Sequence, residues 1–267
     1  MRLFLFILSV SIALACAGPA GNNKPNVNST PAKSGPAPVY GYEIVNTYPH
    51  DPKAFTEGLF YYDGYLYEST GEEGQSTLRK VELTTGKTVQ QWKNPPSEFG
   101  EGIAMLGDKI YQLTYQTMLA RSFDAKTFAV QKEFTYQGEG WGMTTDGTYL
   151  IADDGTSNIY YCDPATFKLV KKITVTDAGT LSYNVNELEY IDGYLYANQW
   201  QLPYILKIDP ATGQVVAKID LTDVWNTVKQ KDPHADVLNG IAYDPATKKI
   251  YVTGKWWPDL YEVQFTR

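Results

Sequence analysis

A two-strand pattern recurs five times along the chain, and this recurrence constrains the fold more than any other feature of the sequence. Each copy reads as a short apolar strand, a tight turn such as Asp-Gly, and a returning strand. The copies are TEGLFYYDGYLYEST from Thr56, GEGIAMLGDKIYQLTY from Gly100, GWGMTTDGTYLIADD from Gly140, NELEYIDGYLYANQW from Asn186 and NGIAYDPATKKIYVTGKWW from Asn239. Aligned on Gly58, Gly102, Gly142, Glu187 and Gly240, they lie 44, 40, 45 and 53 residues apart. The roughly 40 to 45 residues of a four-stranded propeller blade match these spacings.

Two more strands follow each hairpin, as in STLRKVELTTGKTVQQW, so we expect an all-β, five-bladed β-propeller. The fifth copy has room for only about three strands before Arg267, and the segment from Tyr40 is expected to supply its outer strand. This N-terminal strand would close the last blade and remove an open sheet edge. The longest spacing contains LTDVWNTVKQKDPHADV, which predicts a short helical insertion. A two-sheet sandwich explains neither the repeat nor its length.

The composition fits one soluble globular domain. The chain has 267 residues, of which 43% are hydrophobic and 20% charged, enough for one large core. Its formal charge of −7 argues against a nucleic-acid or anionic-membrane surface, because such binders carry a basic face. We therefore expect no nucleic-acid partner.

The N-terminus predicts export. Residues 1–16 place one Arg before a short apolar run that ends in small residues, which is typical of a signal peptide. Cys16 follows Ala15 as in a bacterial lipoprotein cleavage box, and residues 17–38 have the composition of a flexible tether before a propeller domain at 39–267. Lipidation of Cys16 would give a periplasmic or outer-membrane-anchored lipoprotein whose only membrane contact is its anchor. Plain secretion, with cleavage after Ala17, is the alternative.

The sequence offers little to a metal or cofactor. Without the signal segment Cys162 is the one cysteine, and His50 and His234 are the only imidazoles, so a cysteine or histidine metal site is not expected. Phosphate-binding loops and nucleophile-elbow motifs are missing from the sequence. Asp153 and Asp154 suggest a turn or, at most, an oxygen-ligand site for a structural cation. We expect no cofactor.

The inner strands of a propeller line its central channel, so the residues that open them should gather at one mouth of that channel. These residues are Glu57, Glu101, Trp141, Asn186 and Asn239. Polar and indole side chains at equivalent places suggest a ligand pocket with convergent polar groups. The alternative is that a channel mouth is wet, so that polar residues there carry no meaning.

Several further residues adjoin this ring in the sequence, and they suggest aromatic walls around an acid–base group. They are Phe55, Phe99, Tyr115, Trp200 and the trio Lys255-Trp256-Trp257. Aromatic walls attract an amine and disfavour the charged form of a carboxylate, so the pKa of Glu101 should be raised toward the range useful for proton transfer. Lys255 and Asn186 suit stabilisation of an oxyanion. Packing between blades and a plain surface lysine remain the alternatives for these aromatics and for Lys255.

Taken in order, FTEGL, GEGIA, GWGMTTDG, NELEYIDG, ANQW and LNGIAYD with VTGKWWP resemble the plant and bacterial type of glutaminyl-peptide cyclotransferase. That family is a five-bladed propeller unrelated to the zinc-dependent animal enzyme, and the resemblance extends over about Tyr42 to Phe265. It implies an acyltransferase that cyclises the N-terminal glutamine of peptides or proteins to pyroglutamate and releases ammonia. It also implies a metal-independent enzyme, which we expect to be a monomer.

The resemblance assigns roles residue by residue. It makes Glu101 the general acid and base, Asn186 and Lys255 the groups that stabilise the reacting carbonyl, and Phe55, Phe99, Trp141 and Trp200 an aromatic cage. Glu57 stands where plant members carry Gln, and Tyr115 where they carry Trp; both departures bear on substrate affinity. A non-catalytic, lipid-tethered propeller that binds a small ligand or peptide in its channel is the alternative class.

Overall fold

The structure is a computed structural model that describes Gly35–Arg267. Cys16, the predicted signal segment and residues 17–34 of the predicted tether lie outside the described residues. The described part runs from β1 (Val39–Pro49) to β22 (Asp259–Thr266), and no helix in it is long and apolar enough to cross a membrane. Its strands form five four-stranded blades, three as separate sheets and two joined through β1 into one eight-stranded sheet, together with a two-stranded ribbon.

The first three blades each use four consecutive strands. Blade one comprises β2 (Thr56–Tyr62), β3 (Tyr65–Thr70), β4 (Thr77–Glu82) and β5 (Thr88–Lys93). Blade two comprises β6 (Gly100–Leu106), β7 (Lys109–Thr114), β8 (Leu119–Asp124) and β9 (Val130–Thr135). Blade three comprises β10 (Met143–Thr145), β11 (Leu150–Asp153), β12 (Asn158–Cys162) and β13 (Leu169–Thr174).

A short ribbon precedes the last two blades. It comprises β14 (Thr176–Asp177) and β15 (Thr180–Leu181). Blade four comprises β16 (Val185–Ile191), β17 (Tyr194–Gln199), β18 (Tyr204–Ile208) and β19 (Val215–Asp220). After helix α1 (Thr222–Lys231), blade five comprises β20 (Leu238–Asp244), β21 (Lys249–Gly254), β22 (Asp259–Thr266) and the N-terminal β1.

The inner strands touch in a closed cycle, which confirms the propeller. In order around the channel, β2, β6, β10, β16 and β20 each pack against the next, and β20 returns to β2. The predicted closure is also confirmed, because β1 pairs antiparallel with β22 from Gly41 opposite Thr266 to Pro49 opposite Asp259. The first and last strands of the described part therefore complete one blade, and within residues 35–267 the ring of blades is closed.

The predicted helical insertion is confirmed as α1. It buries Val224 and Val228, one turn apart on the same helix face, in a cluster that contains the fully buried Trp257. Lys231, in its last turn, donates a hydrogen bond of 2.6 Å to the carboxylate of Asp259 at the start of β22. The insertion thus packs against blade five.

Four inner strands begin with a bulge at the same place. The strand register shifts between Thr56 and Gly58, Gly100 and Ile103, Val185 and Leu188, and Leu238 and Ile241. A bulge places two residues opposite one and re-aims a side chain out of the ordinary pleat. Glu57, Glu101, Asn186 and Asn239 lie in these bulges, so one repeated backbone irregularity sets the directions of the polar ring.

Glu187 stands where the other copies carry Gly, and the structure explains this departure. A Cβ at Gly58 would lie 2.6 Å from the backbone nitrogen of Ile103 in the next blade, so in blade one this position has no room for a side chain. In blade four the side chain of Glu187 enters the channel, where it accepts hydrogen bonds from the backbone N–H groups of Leu59 (3.1 Å) and Ile241 (2.8 Å). One carboxyl group therefore bridges three blades.

Glu189, the next residue with the same orientation, makes a similar bridge. It accepts hydrogen bonds from the backbone N–H of Tyr243 (3.0 Å) and the hydroxyl of Thr144 (3.2 Å). Burial raises the pKa of Glu189 to about 8 and raises the pKa of Glu187 well above its usual range. Buried carboxyl groups thus connect the inner strands below the ring, where the sequence pattern alone suggested no role for them.

Candidate active site

One cavity of about 610 Å³ collects the nine residues for which the sequence predicted a catalytic or substrate-binding role, but not Asn239, the fifth member of the predicted ring. It lies at the end of the propeller where the inner strands begin. The nine are Phe55, Glu57, Phe99, Glu101, Tyr115, Trp141, Asn186, Trp200 and Lys255. They come from all five blades, so the cavity is a product of the ring and not of any single sheet.

The cavity has a polar floor. Glu57, Glu101 and Asn186 are supplied by the bulges of blades one, two and four, and Lys255 follows the end of β21 in blade five. All four are at least nine-tenths buried, with exposed fractions of 2%, 5%, 2% and 6%. Charged groups are seldom buried to this degree unless they are paired or functional.

Lys255 and Glu57 form a buried ion pair in this floor. The ammonium of Lys255 donates to Oε1 of Glu57 over 2.7 Å and lies 4.4 Å from the centre of the Phe55 ring. Asn239 donates from Nδ2 to Oε2 of the same carboxylate over 3.2 Å and to the carbonyl of Thr56 over 2.9 Å. Asn239 does not line the cavity; through these two hydrogen bonds it positions the carboxylate of Glu57.

The two carboxyl groups of the floor hold protons unusually tightly. Burial raises the pKa of Glu57 to about 7, although the charge of Lys255 opposes the shift. Burial also raises the pKa of Glu101 well above its usual range, and the negative charge of Glu57 adds to that rise while Lys255 opposes it. For Glu101 this is the direction expected from its aromatic surroundings. The pKa of Glu57 therefore lies near neutral pH, and that of Glu101 is shifted in the direction that suits proton transfer.

Aromatic side chains form a continuous wall above the floor. Successive ring centres lie 4.8 Å apart from Trp256 to Phe55, 5.9 Å from Phe55 to Phe99, and 5.9 Å from Phe99 to Tyr115. The wall continues over 6.5 Å from Tyr115 to Trp141 and 5.5 Å from Trp141 to Trp200. Each ring is half-buried and braced by its neighbours, which favours a wall of fixed shape.

The three residues Lys255, Trp256 and Trp257 have different positions in the structure. The expectation that all three adjoin the ring is therefore corrected. Lys255 lines the cavity, whereas Trp256 supports the wall by packing on Phe55. Trp257 is fully buried in the core beside Tyr261, with its indole N–H donating to the carbonyl of Asp236. Trp256 itself adopts a φ of 59°, a left-handed backbone conformation that is uncommon for a residue other than glycine.

Asn186 brings an unsatisfied polar atom to the floor. Its Oδ1 is buried and has no hydrogen-bond partner within residues 35–267. Native structures satisfy nearly all buried polar atoms, and exceptions call for an explanation. A ligand group that forms a hydrogen bond with the carboxamide of Asn186 would explain this exception.

Sequence reasoning missed four acidic residues at the cavity. Glu72, Glu73 and Asp236 line it, and Glu139 accepts hydrogen bonds from the indole of Trp141 (3.2 Å) and the amide of Gln116 (3.0 Å). A usable signal was present, because Glu72 and Glu73 follow the second strand of their copy just as Tyr115 and Gln116 follow theirs. Equivalent loops of a propeller lie at the same rim.

The remaining candidates outside the cavity have structural roles. Asp153 and Asp154 accept hydrogen bonds from the backbone N–H groups of Gly155 and Thr156, each over 3.2 Å, as turn-forming residues do. Cys162 is a buried free thiol. His50 bonds to Glu68 over 2.9 Å and to the carbonyl of Trp257 over 2.6 Å, so it braces the contact between blades one and five.

The arrangement suits a ligand that carries both an amine and a carbonyl group. Aromatic faces favour the amine, an acid–base group stands in the floor, and a lysine and a carboxamide can donate hydrogen bonds to an oxygen on which charge develops. No histidine or cysteine is among the residues described as lining the cavity.

Comparisons with known proteins point to a single family. The sequence profile of the glutamine cyclotransferase family matches residues 12–265. A glutaminyl-peptide cyclotransferase of Arabidopsis thaliana is 40% identical over 225 residues, which is 83% of this chain and 70% of that protein. The crystal structure of Myxococcus xanthus glutaminyl cyclase superposes with a TM-score of 0.81 at 36% identity, covering 86% of this chain and 98% of that one.

Proposed function

The chain belongs to the glutamine cyclotransferase family, and we propose that its cavity converts the N-terminal glutamine of peptides and proteins to pyroglutamate with release of ammonia. This is an acyl transfer within one molecule. The α-amine of the glutamine attacks the carbon of its own γ-carboxamide and closes a five-membered lactam ring. The former carboxamide nitrogen leaves as ammonia.

Substrate binding uses the wall and the floor together. The α-amine lies among the aromatic faces near Glu101, and the γ-carboxamide lies against Asn186 and Lys255. Amine and carboxamide are thereby held in a reactive pose, which replaces the many conformations of a free glutamine side chain. Such orientation is among the largest contributions that a protein can make to a cyclisation.

Proton movement follows from the acid–base character of Glu101. As the amine nitrogen bonds to the carboxamide carbon, Glu101 accepts the proton that the nitrogen must lose. The carbonyl oxygen becomes an oxyanion and receives hydrogen bonds from Lys255 and Asn186. Glu101 then delivers its proton to the departing nitrogen, the carbon–nitrogen bond breaks, and the carbonyl re-forms. Atoms and charges balance without a covalent enzyme intermediate.

The observation that carries this proposal is Glu101, a buried carboxyl group of raised pKa in the same floor as a fixed lysine. A binding protein has no need of an acid–base group beside an oxyanion donor. The test is release of ammonia from a Gln-initiated dipeptide, with an N-acetylated dipeptide as the control that lacks the attacking amine. If the purified chain binds the dipeptide and releases no ammonia, the binding function is the correct one.

Metal independence is part of the proposal. The cavity lining offers acids, amides and a lysine, and His50, His234 and Cys162 are not among its residues. Turnover is expected to persist in EDTA. Loss of turnover in EDTA that zinc restores, with the thermal unfolding curve unchanged, would contradict a metal-free reaction.

We also propose that the enzyme is exported and anchored through lipidated Cys16, since this residue follows a signal-like segment and precedes a tether-like one. Cells fed labelled palmitate should yield labelled protein in the membrane fraction. Cys16→Ala should leave it unlabelled and outside that fraction. A wild-type chain that is unlabelled and soluble would favour plain secretion.

A further inference from the structure

The mouth of the cavity is acidic. Glu72 and Glu73, in the loop between β3 and β4, and Asp236, in the loop before β20, all line it, and Glu73 is exposed whereas the other two are half-buried. They come from blades one and five, which also supply the Glu57–Lys255 pair below them. This side of the mouth therefore presents three carboxylates to the part of a ligand that extends outward from the floor.

These carboxylates are not neutralised by the protein. Lys255 is the one basic residue among the described residues that line the cavity, and its charge is already paired with Glu57. Within residues 35–267, no salt bridge reaches Glu72, Glu73 or Asp236. The mouth therefore keeps a net negative field.

The acidic loop is held in place. The carbonyl of Glu72 accepts hydrogen bonds from the backbone N–H and the hydroxyl of Ser76, over 2.9 Å and 2.8 Å. The same hydroxyl accepts a hydrogen bond of 3.0 Å from the backbone N–H of Gly100, next to Glu101. The loop that carries Glu72 and Glu73 is thus fixed to the strand that carries Glu101.

A second observation points to a ligand in the floor. The buried Oδ1 of Asn186 has no partner within residues 35–267 and calls for a hydrogen-bond donor of a ligand there. If the N-terminal glutamine occupies the floor, as the proposed function requires, the rest of the peptide leaves through the mouth. Consecutive Cα atoms lie about 3.8 Å apart, so the second residue is already near the rim and a long side chain can reach it.

Resting on the proposed function, we propose that the acidic mouth selects substrates with Arg or Lys immediately after the N-terminal glutamine. Glu72, Glu73 and Asp236 attract such a side chain and repel an acidic one. Each partly exposed charge pair contributes modestly, and three acting together should favour a basic over an acidic second residue by roughly 10-fold or more in kcat/KM at low salt. Salt should reduce the preference, because the Debye length falls to about 10 Å at 0.1 M.

The test compares amidated tripeptides that begin with Gln and differ only in their second residue, which is Arg, Ala or Glu. The order of kcat/KM expected is Arg, then Ala, then Glu. In the double variant Glu72→Gln/Glu73→Gln the ratio of the Arg to the Glu peptide should fall several-fold. The matched control is Glu43→Gln, an exposed carboxylate on β1 of blade five that lies outside the cavity, which should leave the ratio unchanged.

The outcomes separate the two proposals. Turnover of all three peptides at equal kcat/KM overturns the selectivity and leaves the cyclisation standing. A preference that survives in the double variant, or that Glu43→Gln weakens equally, shows that overall charge and not the mouth produces it. No turnover of any Gln peptide, with a normal thermal unfolding curve, refutes the proposed function itself.

Discussion

The ammonium of Lys255 and the carboxylate of Glu57 lie 2.7 Å apart in the floor of the cavity and join blade five to blade one. Two buried charges compensate each other in this way, whereas either one alone would be strongly disfavoured. The pair also sets the charge that Glu101 experiences, because Glu57 raises the pKa of Glu101 and Lys255 lowers it. Three of the following predictions depend on this arrangement.

Glu101→Gln should lower kcat by roughly 100-fold or more, because the amide keeps the shape of the side chain but cannot transfer a proton. The measurement is steady-state release of ammonia from a Gln dipeptide, with thermal unfolding followed in parallel. Glu43→Gln is the matched control and should retain full turnover. Near wild-type turnover in a folded Glu101→Gln variant would remove Glu101 from its assigned role and direct attention to Glu57.

Glu57→Gln should move the acid limb of the kcat/KM profile to lower pH. The negative charge of Glu57 raises the pKa of Glu101, so its removal lowers that pKa and leaves Glu101 ionised, and able to accept a proton, further into the acid range. The substrate amine is the same for both enzymes, so a difference between their pH profiles reflects a titrating group of the enzyme and not of the substrate. An unmoved limb would show that the two carboxyl groups do not interact.

Lys255→Met should lower kcat by about 100- to 1,000-fold if the ammonium stabilises the oxyanion. It should also destabilise the fold, since breaking a buried ion pair typically costs about 3–5 kcal/mol. The double variant Lys255→Met/Glu57→Gln removes both charges and should recover much of the stability without the activity. Recovery of turnover together with stability would make Lys255 a structural residue only.

Trp200→Ala should mainly raise KM, because a wall residue contributes binding that substrate and transition state share. Its ring contacts Trp141 edge-on with centres 5.5 Å apart, so the truncation also removes support from the next ring of the wall. Trp200→Phe should restore part of the affinity. A fall in kcat at unchanged KM would instead place Trp200 in contact with the reacting groups.

Glu189→Gln should flatten the dependence of folding stability on pH. Because burial raises the folded-state pKa of Glu189 to about 8, its contribution is fully present below its unfolded-state pKa, about 4.3, and is lost as pH rises toward 8. Within this window the slope from one such group is at most about 1.4 kcal/mol per pH unit. Glutamine resembles the protonated carboxyl group and can still bond to Tyr243 and Thr144.

The measurement is urea unfolding of wild type and Glu189→Gln at several pH values across the window. The wild-type free energy of unfolding should fall with rising pH more steeply than that of the variant. Parallel curves would mean that Glu189 does not bind a proton more tightly in the folded protein. Glu43→Gln again serves as the control, since its side chain is exposed.

The alternation of short strands and turns, repeated at blade length, determined the architecture from the sequence alone. The two strands of a hairpin are close together in the sequence. The regular spacing of the hairpins can therefore be recognised from residue order, without knowledge of tertiary contacts. The same period aligned Glu57, Glu101 and Asn186, so the ring could be predicted before any contact was known. A short last repeat and a strand-like segment from Tyr40 likewise predicted the closure that β1 and β22 make.

Only the tertiary structure decided which of these residues pair. Glu57 and Lys255 are far apart in the chain, and nothing in either local pattern says that the bulge of β2 aims a carboxylate at the end of β21. The same holds for Glu187, whose side chain enters a channel that exists only when five blades close around it. The partner of a buried charge is the group that the completed ring places within hydrogen-bond distance of it. Which group that is depends on three-dimensional packing, and the local sequence around either residue does not determine it.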